Sequence, residues 1–201
     1  MEAKDFFYTI DREATAEFKD RGSKFTAYAF PIEKVEDFKL RLQALKKEHP
    51  KAVHHCFAYR LGLDGNTFRV SDDGEPSGTA GRPVLGQIDS KQLTNLAIIV
   101  VRYFGGTLLG VPGLINAYKT AAALALQITP IIQKPVAINY QVEFDYTRMN
   151  EVMLIVKQSN CRILLQEMQL FCQMQIGIPK NRLEEVLYRL KELRGITLKK
   201  M

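Results

Sequence analysis

The chain has 201 residues, 46% hydrophobic and 25% charged, a composition that excludes a disordered chain and fits one sizeable domain or two small ones. Its net charge of +6 is spread evenly, with 18 basic against 15 acidic residues over 1–134 and 10 against 7 over 135–201, so no charge block stands out. Apolar runs fall short of the ~20 residues of a membrane span, the first residues lack a signal-peptide pattern, and Cys56, Cys161 and Cys172 are too scattered for a disulfide framework or zinc knuckle. The expectation is a cytoplasmic protein without membrane contact.

Residues 6–10, 15–19 and 24–30 read as strands, the last two joined by the turn Asp20-Arg21-Gly22-Ser23. Val35, Phe38, Leu42 and Leu45 repeat at helical spacing over 34–48. Residues 53–61 alternate, with Val53, His55, Phe57, Tyr59 and Leu61 on one face and His54, Cys56, Ala58 and Arg60 on the other. A polar connection is expected over 62–81, then a short helix from about Arg82-Pro83. Leu96–Val101 is apolar on both faces and predicts a central strand. A glycine-rich loop over 105–113 leads into an Ala/Leu-rich helix at 114–127.

Thr129-Pro130 and Lys134-Pro135 bracket a connector, and the pattern then changes. Val136 to Phe144 alternate as a strand, Asp145 can cap a helix, and strands follow near 162–168 and 170–178. Asn181 and Glu184 have capping-box spacing for another helix, Gly195 closes it, and Ile196–Leu198 can supply a last strand. This β-α-β-β-α-β order is the ferredoxin-like pattern. Its expected open face carries Asn139, Gln141, Glu143, Gln173 and Gln175. With only Phe171 there, the interleaved aromatics of an RNA-recognition sheet are missing, and the face reads as structural or docking surface. Two domains are predicted, 1–132 and 135–201.

Polar chemistry concentrates in two loops. Asp72, Asp73 and Glu75, with Ser77 and Thr79 nearby, can hold Mg²⁺, move a proton or simply close a turn, while Gly78–Arg82 at a helix start can cradle an anion. The second loop is Arg102-Tyr103-Phe104-Gly105-Gly106: the arginine can hold a phosphate or carboxylate or pair with a loop aspartate, and the aromatics can stack on a ligand or fill the core. Because His54 and His55 point to opposite faces they cannot share a metal. His55 reads as a satisfied core residue, whereas His54 can pair with Cys56 as base and nucleophile.

Ser71–Leu85 together with Ile98–Gly110 resembles the signature of the IMPACT/YigZ family, and the likeness extends over most of the chain. The resemblance implies an α+β protein. Its N-terminal βαβ domain would share the fold of the fourth domain of elongation factor G and of a small-subunit ribosomal protein, and its ferredoxin-like C-terminal domain would be similar to that factor's fifth domain. Eukaryotic members regulate translation by competing for an activator of a starvation-responsive kinase through an RWD domain, which is not expected here. The leading expectation is a non-enzymatic protein contacting RNA, the ribosome or a translation-regulating protein through His54, Asp72, Asp73, Glu75, Ser77, Thr79, Arg82, Arg102, Tyr103, Phe104, Gly105 and Gly106. In that reading Arg82 and Arg102 are the anion contacts. The alternative is a small hydrolase or phosphate-handling enzyme using the acidic loop 72–75 and His54. Neither a metal nor a cofactor is assigned, and no motif sets an oligomeric state.

Overall fold

Six strands and three helices build roughly the first two-thirds of the chain. The computed structural model describes residues 5–169 and 171–201. The strands β1 (Phe6–Ile10), β2 (Ala14–Asp20) and β3 (Ser23–Pro31) come first, and α1 (Val35–Glu48) follows. Next are β4 (His54–Leu61), β5 (Thr67–Ser71), α2 (Gly81–Ser90), β6 (Leu96–Tyr103) and α3 (Gly110–Gln127). The sheet order is β2-β3-β6-β4-β5, antiparallel at every step. Since β3 and β4 both run against β6, they are parallel to each other, with α1 crossing between them and β6 inserted: a split βαβ arrangement.

The central strand β6 is buried on both faces, as its unbroken apolar run requires. Leu96, Ile98 and Val100 pack with Cys56, Ala58, Phe25 and Ala27 beneath α2 and α3. On the other face Ala97, Ile99 and Val101 meet Phe57, Tyr59, Phe38 and Leu45 beneath α1. Period-two alternation therefore divides neighbouring residues between two cores.

Two boundaries differ from the sequence expectation. Within the supposed connection 62–81, Thr67–Ser71 pairs with β4 as an edge strand whose mostly exposed side chains carry little burial signal. The glycine-rich loop ends early because α3 begins at Gly110 rather than 114. Pro112 is compatible with the first turn, where backbone N–H groups need no intrahelical partner.

β7 (Ile131–Pro135), in the expected connector, pairs with β1 as a separate two-stranded sheet. The chain forms two compact units, residues 7–133 and residues 134–201 with Asp5 and Phe6. The smaller unit holds β8 (Ala137–Asp145), α4 (Met149–Gln158), β9 (Arg162–Glu167), β10 (Phe171–Pro179), α5 (Leu183–Glu192) and β11 (Thr197–Lys200). Its sheet order is β11-β8-β10-β9, all antiparallel. Val142, Phe144, Met174 and Ile176 pack with Val152 and Val156 of α4 and Val186 and Leu190 of α5. Asp145 accepts the Thr147 N–H and caps a 3-10 turn ahead of α4. The expected Asn181–Glu184 box does not form: a 3-10 turn occupies Lys180–Arg182, so α5 starts at Leu183 without a side-chain cap. Among the described residues no helix is long and apolar enough to cross a membrane.

Candidate functional site

Both polar loops meet at one end of the five-stranded sheet, on its α2/α3 face. Register places His54 of β4 opposite Arg102 of β6, and Lys24-Phe25 of β3 lies against Arg102-Tyr103 on the other side. Arg102 is only 5% exposed, and Glu75, 8% exposed, reaches it from the acidic loop. Nη1 donates to Glu75 Oε1 at 2.5 Å, and the guanidinium carbon lies 5.4 Å from the Phe25 ring centroid and 5.7 Å from that of Phe104. The Tyr118 hydroxyl of α3 donates to the same carboxylate oxygen at 2.8 Å. His54 Nε2 lies 3.8 Å from it, while its Nδ1–H donates to the Asp73 carbonyl at 2.7 Å.

The three carboxylates point three ways. Asp72 accepts backbone N–H bonds from Gly78, Ala80 and Gly81 at 2.8, 3.0 and 2.9 Å. Burial by itself would raise its pKa, but these donors and the Arg82 charge together hold it below the ordinary carboxylate value. The anion expected at the start of α2 is therefore the chain's own aspartate. Asp73, at a φ of +43°, turns its carboxylate away to accept the His55 N–H at 2.7 Å. Glu75 is the third, buried on Arg102. Among the described residues no group of three or more His, Cys, Asp and Glu side chains is arranged to hold a metal.

Several expectations are corrected by this geometry. Arg102 pairs with a glutamate rather than a loop aspartate, and its charge is met inside the fold instead of facing an external anion. Cys56 and His54 share a face, but the thiol lies 3.0 Å from the Asp72 carbonyl and 3.2 Å from the Tyr118 hydroxyl. Burial pushes its pKa strongly up, the opposite of an activated nucleophile. His55 is the core histidine expected, buried beneath α1 beside the Leu45 backbone, although its Nε2 makes no close hydrogen bond among the described residues. Tyr103 also faces α1, where its hydroxyl meets His49 Nδ1 at 2.9 Å, away from Arg102 and Phe104.

The remaining loop residues shape the surface. The Thr79 hydroxyl donates to the Pro76 carbonyl at 2.7 Å, closing the turn, while Ser77 and Arg82 are exposed. Gly105 lies against the β2–β3 turn so closely that a Cβ there would sit 1.8 Å from the Gly22 carbonyl carbon. Its N–H donates to Ser23 Oγ at 3.1 Å. Gly106, at a φ of +86°, carries the chain onward to Leu108, which is 82% exposed beside the 48%-exposed Phe104.

Comparison with known proteins agrees with the sequence signature. The family profile of the Impact N-terminal domain matches residues 21–126. An IMPACT family member of Haemophilus influenzae is 32% identical over 188 residues, covering 92% of this chain and 91% of that one. The IMPACT family member YigZ of Escherichia coli is 31% identical, covering 85% and 84%. The chain belongs to the IMPACT/YigZ family. A crystal structure of a hypothetical protein superposes with a TM-score of 0.79 at 27% identity, covering 99% of this chain and 98% of that one, in accord with an α+β fold.

In this IMPACT-family chain, Tyr118 and Ser23 are the site residues that sequence reasoning missed. Tyr118 is the one polar-tipped side chain among Leu114, Ala117, Ala121 and Ala122 on the buried stripe of α3, and that exception was the available signal. Ser23 gave none, because its link to Arg102 and Gly105 depends on pairing with distant strand ends.

Proposed function

We propose that this chain is a translation-associated binding protein whose contact surface is the joined pair of loops 71–82 and 102–110. One observation carries the reading: Phe104 and Leu108 project from a loop held beneath by Gly105 and the buried Arg102–Glu75 pair. Exposed apolar groups on a held backbone serve recognition, because little loop entropy is lost when a partner binds. Phe104 supplies a stacking face, Arg21 and Arg82 supply exposed charge, and His54, Glu75, Arg102 and Tyr118 position the loops. The family's translation role and its resemblance to two elongation-factor domains favour the ribosome or structured RNA as the partner.

We infer the finer fold names on the same footing. The split βαβ order of the larger unit supports likeness to the fourth domain of elongation factor G. Chain order and the β11-β8-β10-β9 sheet support a ferredoxin-like smaller one. Domains of 1–132 and 135–201 follow from that assignment.

Ribosome co-sedimentation at low and moderate salt tests the contact. The chain should pellet with ribosomes and release as salt rises, because phosphate contacts displace counterions. Phe104→Ala with Arg21→Ala and Arg82→Ala should reduce pelleting at least threefold, consistent with ~1–3 kcal/mol per stacked base. Binding that resists the triple substitution would sink the assignment. Nuclease treatment separates an RNA contact from a protein one.

A further inference from the structure

The smaller unit covers only one face of its four-stranded sheet, packing α4 and α5 there. On the opposite face, alternation places Glu143 and Asp145 of β8 beside Phe171 and Gln173 of β10 and Glu167 of β9. Thr197, Glu143, Gln173 and Glu167 form one row across four strands, with Asp145 opposite Phe171 in the next. These residues line a depression of about 610 Å³. Phe171 is 75% exposed, the most exposed of the large aromatic side chains among the described residues.

Two amides orient the acidic wall without neutralising it. Gln141 and Gln173 donate to Glu143 Oε1 at 2.6 and 3.2 Å. In the ion pairs seen among the described residues, lysine and arginine meet carboxylates other than Glu143 and Glu167. Glu143 and Glu167 stand two strands apart, about 10 Å from the usual strand spacing. An aromatic face beside a row of carboxylates suits a guanidinium or ammonium group, which gains ring attraction and charge-assisted hydrogen bonds together. Phosphate would be repelled by the same wall. Lys199, opposite Gln141, marks where the acidic patch ends.

We propose that this open sheet face is a docking surface for an arginine- or lysine-rich segment of a partner protein, seated on Phe171 alongside the Glu143–Gln173–Glu167 row. Charge complementarity selects that occupant over nucleic acid, and it is local: the whole chain carries +6, so bulk attraction works against a polycation. The proposal uses residues separate from the ribosome-contact loops, so either can fail alone.

Fluorescence anisotropy of the full chain with labelled hepta-arginine tests it, with a labelled RNA octamer as counterprobe. The peptide should bind at low salt. Phe171→Ser should weaken it about threefold or more, from loss of the ring contact. Glu143→Gln with Glu167→Gln should weaken it roughly tenfold, while Lys199→Ala should not weaken it. These side chains are exposed, so circular dichroism should report unchanged folding, and ribosome pelleting should persist. Equal peptide binding by all variants, no peptide binding at low salt, RNA binding that Phe171→Ser abolishes, or a dimer that Phe171→Ser dissociates would each overturn the proposal.

Discussion

The two faces of the five-stranded sheet solve the same problem differently at the same end. His54-His55 and Arg102-Tyr103 are adjacent pairs, and each is divided by strand alternation. Beneath α2 and α3 the first members join a charged network of Arg102, Glu75, Tyr118 and His54. Beneath α1 the second members lie beside a network of ring groups, in which His49 meets the Tyr28 hydroxyl at 2.7 Å and the Tyr103 hydroxyl at 2.9 Å. A charged network tolerates no missing member, because a buried charge left alone bears its full desolvation cost. A hydroxyl–imidazole network loses little more than one hydrogen bond.

The largest expected effect comes from breaking the charged side. Glu75→Leu or Arg102→Met alone should destabilise by about 3–5 kcal/mol in urea unfolding, whereas Tyr103→Phe should cost about 1 kcal/mol. The double substitution Glu75→Leu/Arg102→Met should recover much of the loss, since it removes both charges together. Equal costs for the single charge removals and Tyr103→Phe would erase the contrast between the faces.

The sequence pattern made the alternation legible, but not the partnerships. Period-two spacing assigned residues 53–61 to their faces, and helical spacing located α1. Tyr118 and Glu75 are 43 positions apart, and Arg102 and Ser23 are 79 apart. No local periodicity encodes such meetings. Asp72 looked like a ligand-binding group because the sequence shows a carboxylate and a helix start but not that one fills the other. β5 escaped notice because an edge strand with exposed side chains carries no burial pattern.

A glycine sharpens the comparison next, because the charged side also depends on backbone contact. Gly105→Ala would drive a methyl group into the Gly22–Ser23 backbone, which cannot yield as a side chain tip can. The expected cost is about 1–3 kcal/mol, with Phe104 displaced from the Arg102 guanidinium. Gly106→Ala meets no neighbouring atom and should cost about 1 kcal/mol from its left-handed backbone alone. If Gly105→Ala proves the milder of the two in thermal unfolding, the close approach is not what fixes the loop.

Acid should distinguish the faces last and most gently. Burial holds the His55 pKa below the ordinary histidine value, opposed by the nearby Asp73 charge. As pH falls below about 6.5, the unfolded chain takes up that proton before the folded one does, so stability declines through the lowered folded value. His55→Leu should flatten this part of the stability profile. Asp72 lies on the other face and carries the opposite charge, yet its depressed pKa gives the same sign at lower pH. Its stabilisation is complete above about 4 and is lost as pH falls through the folded value. Asp72→Asn should remove the second decline and leave the first. Urea midpoints across pH 7 to 3 check both, and a single decline removed by either substitution would show that the two faces do not titrate independently.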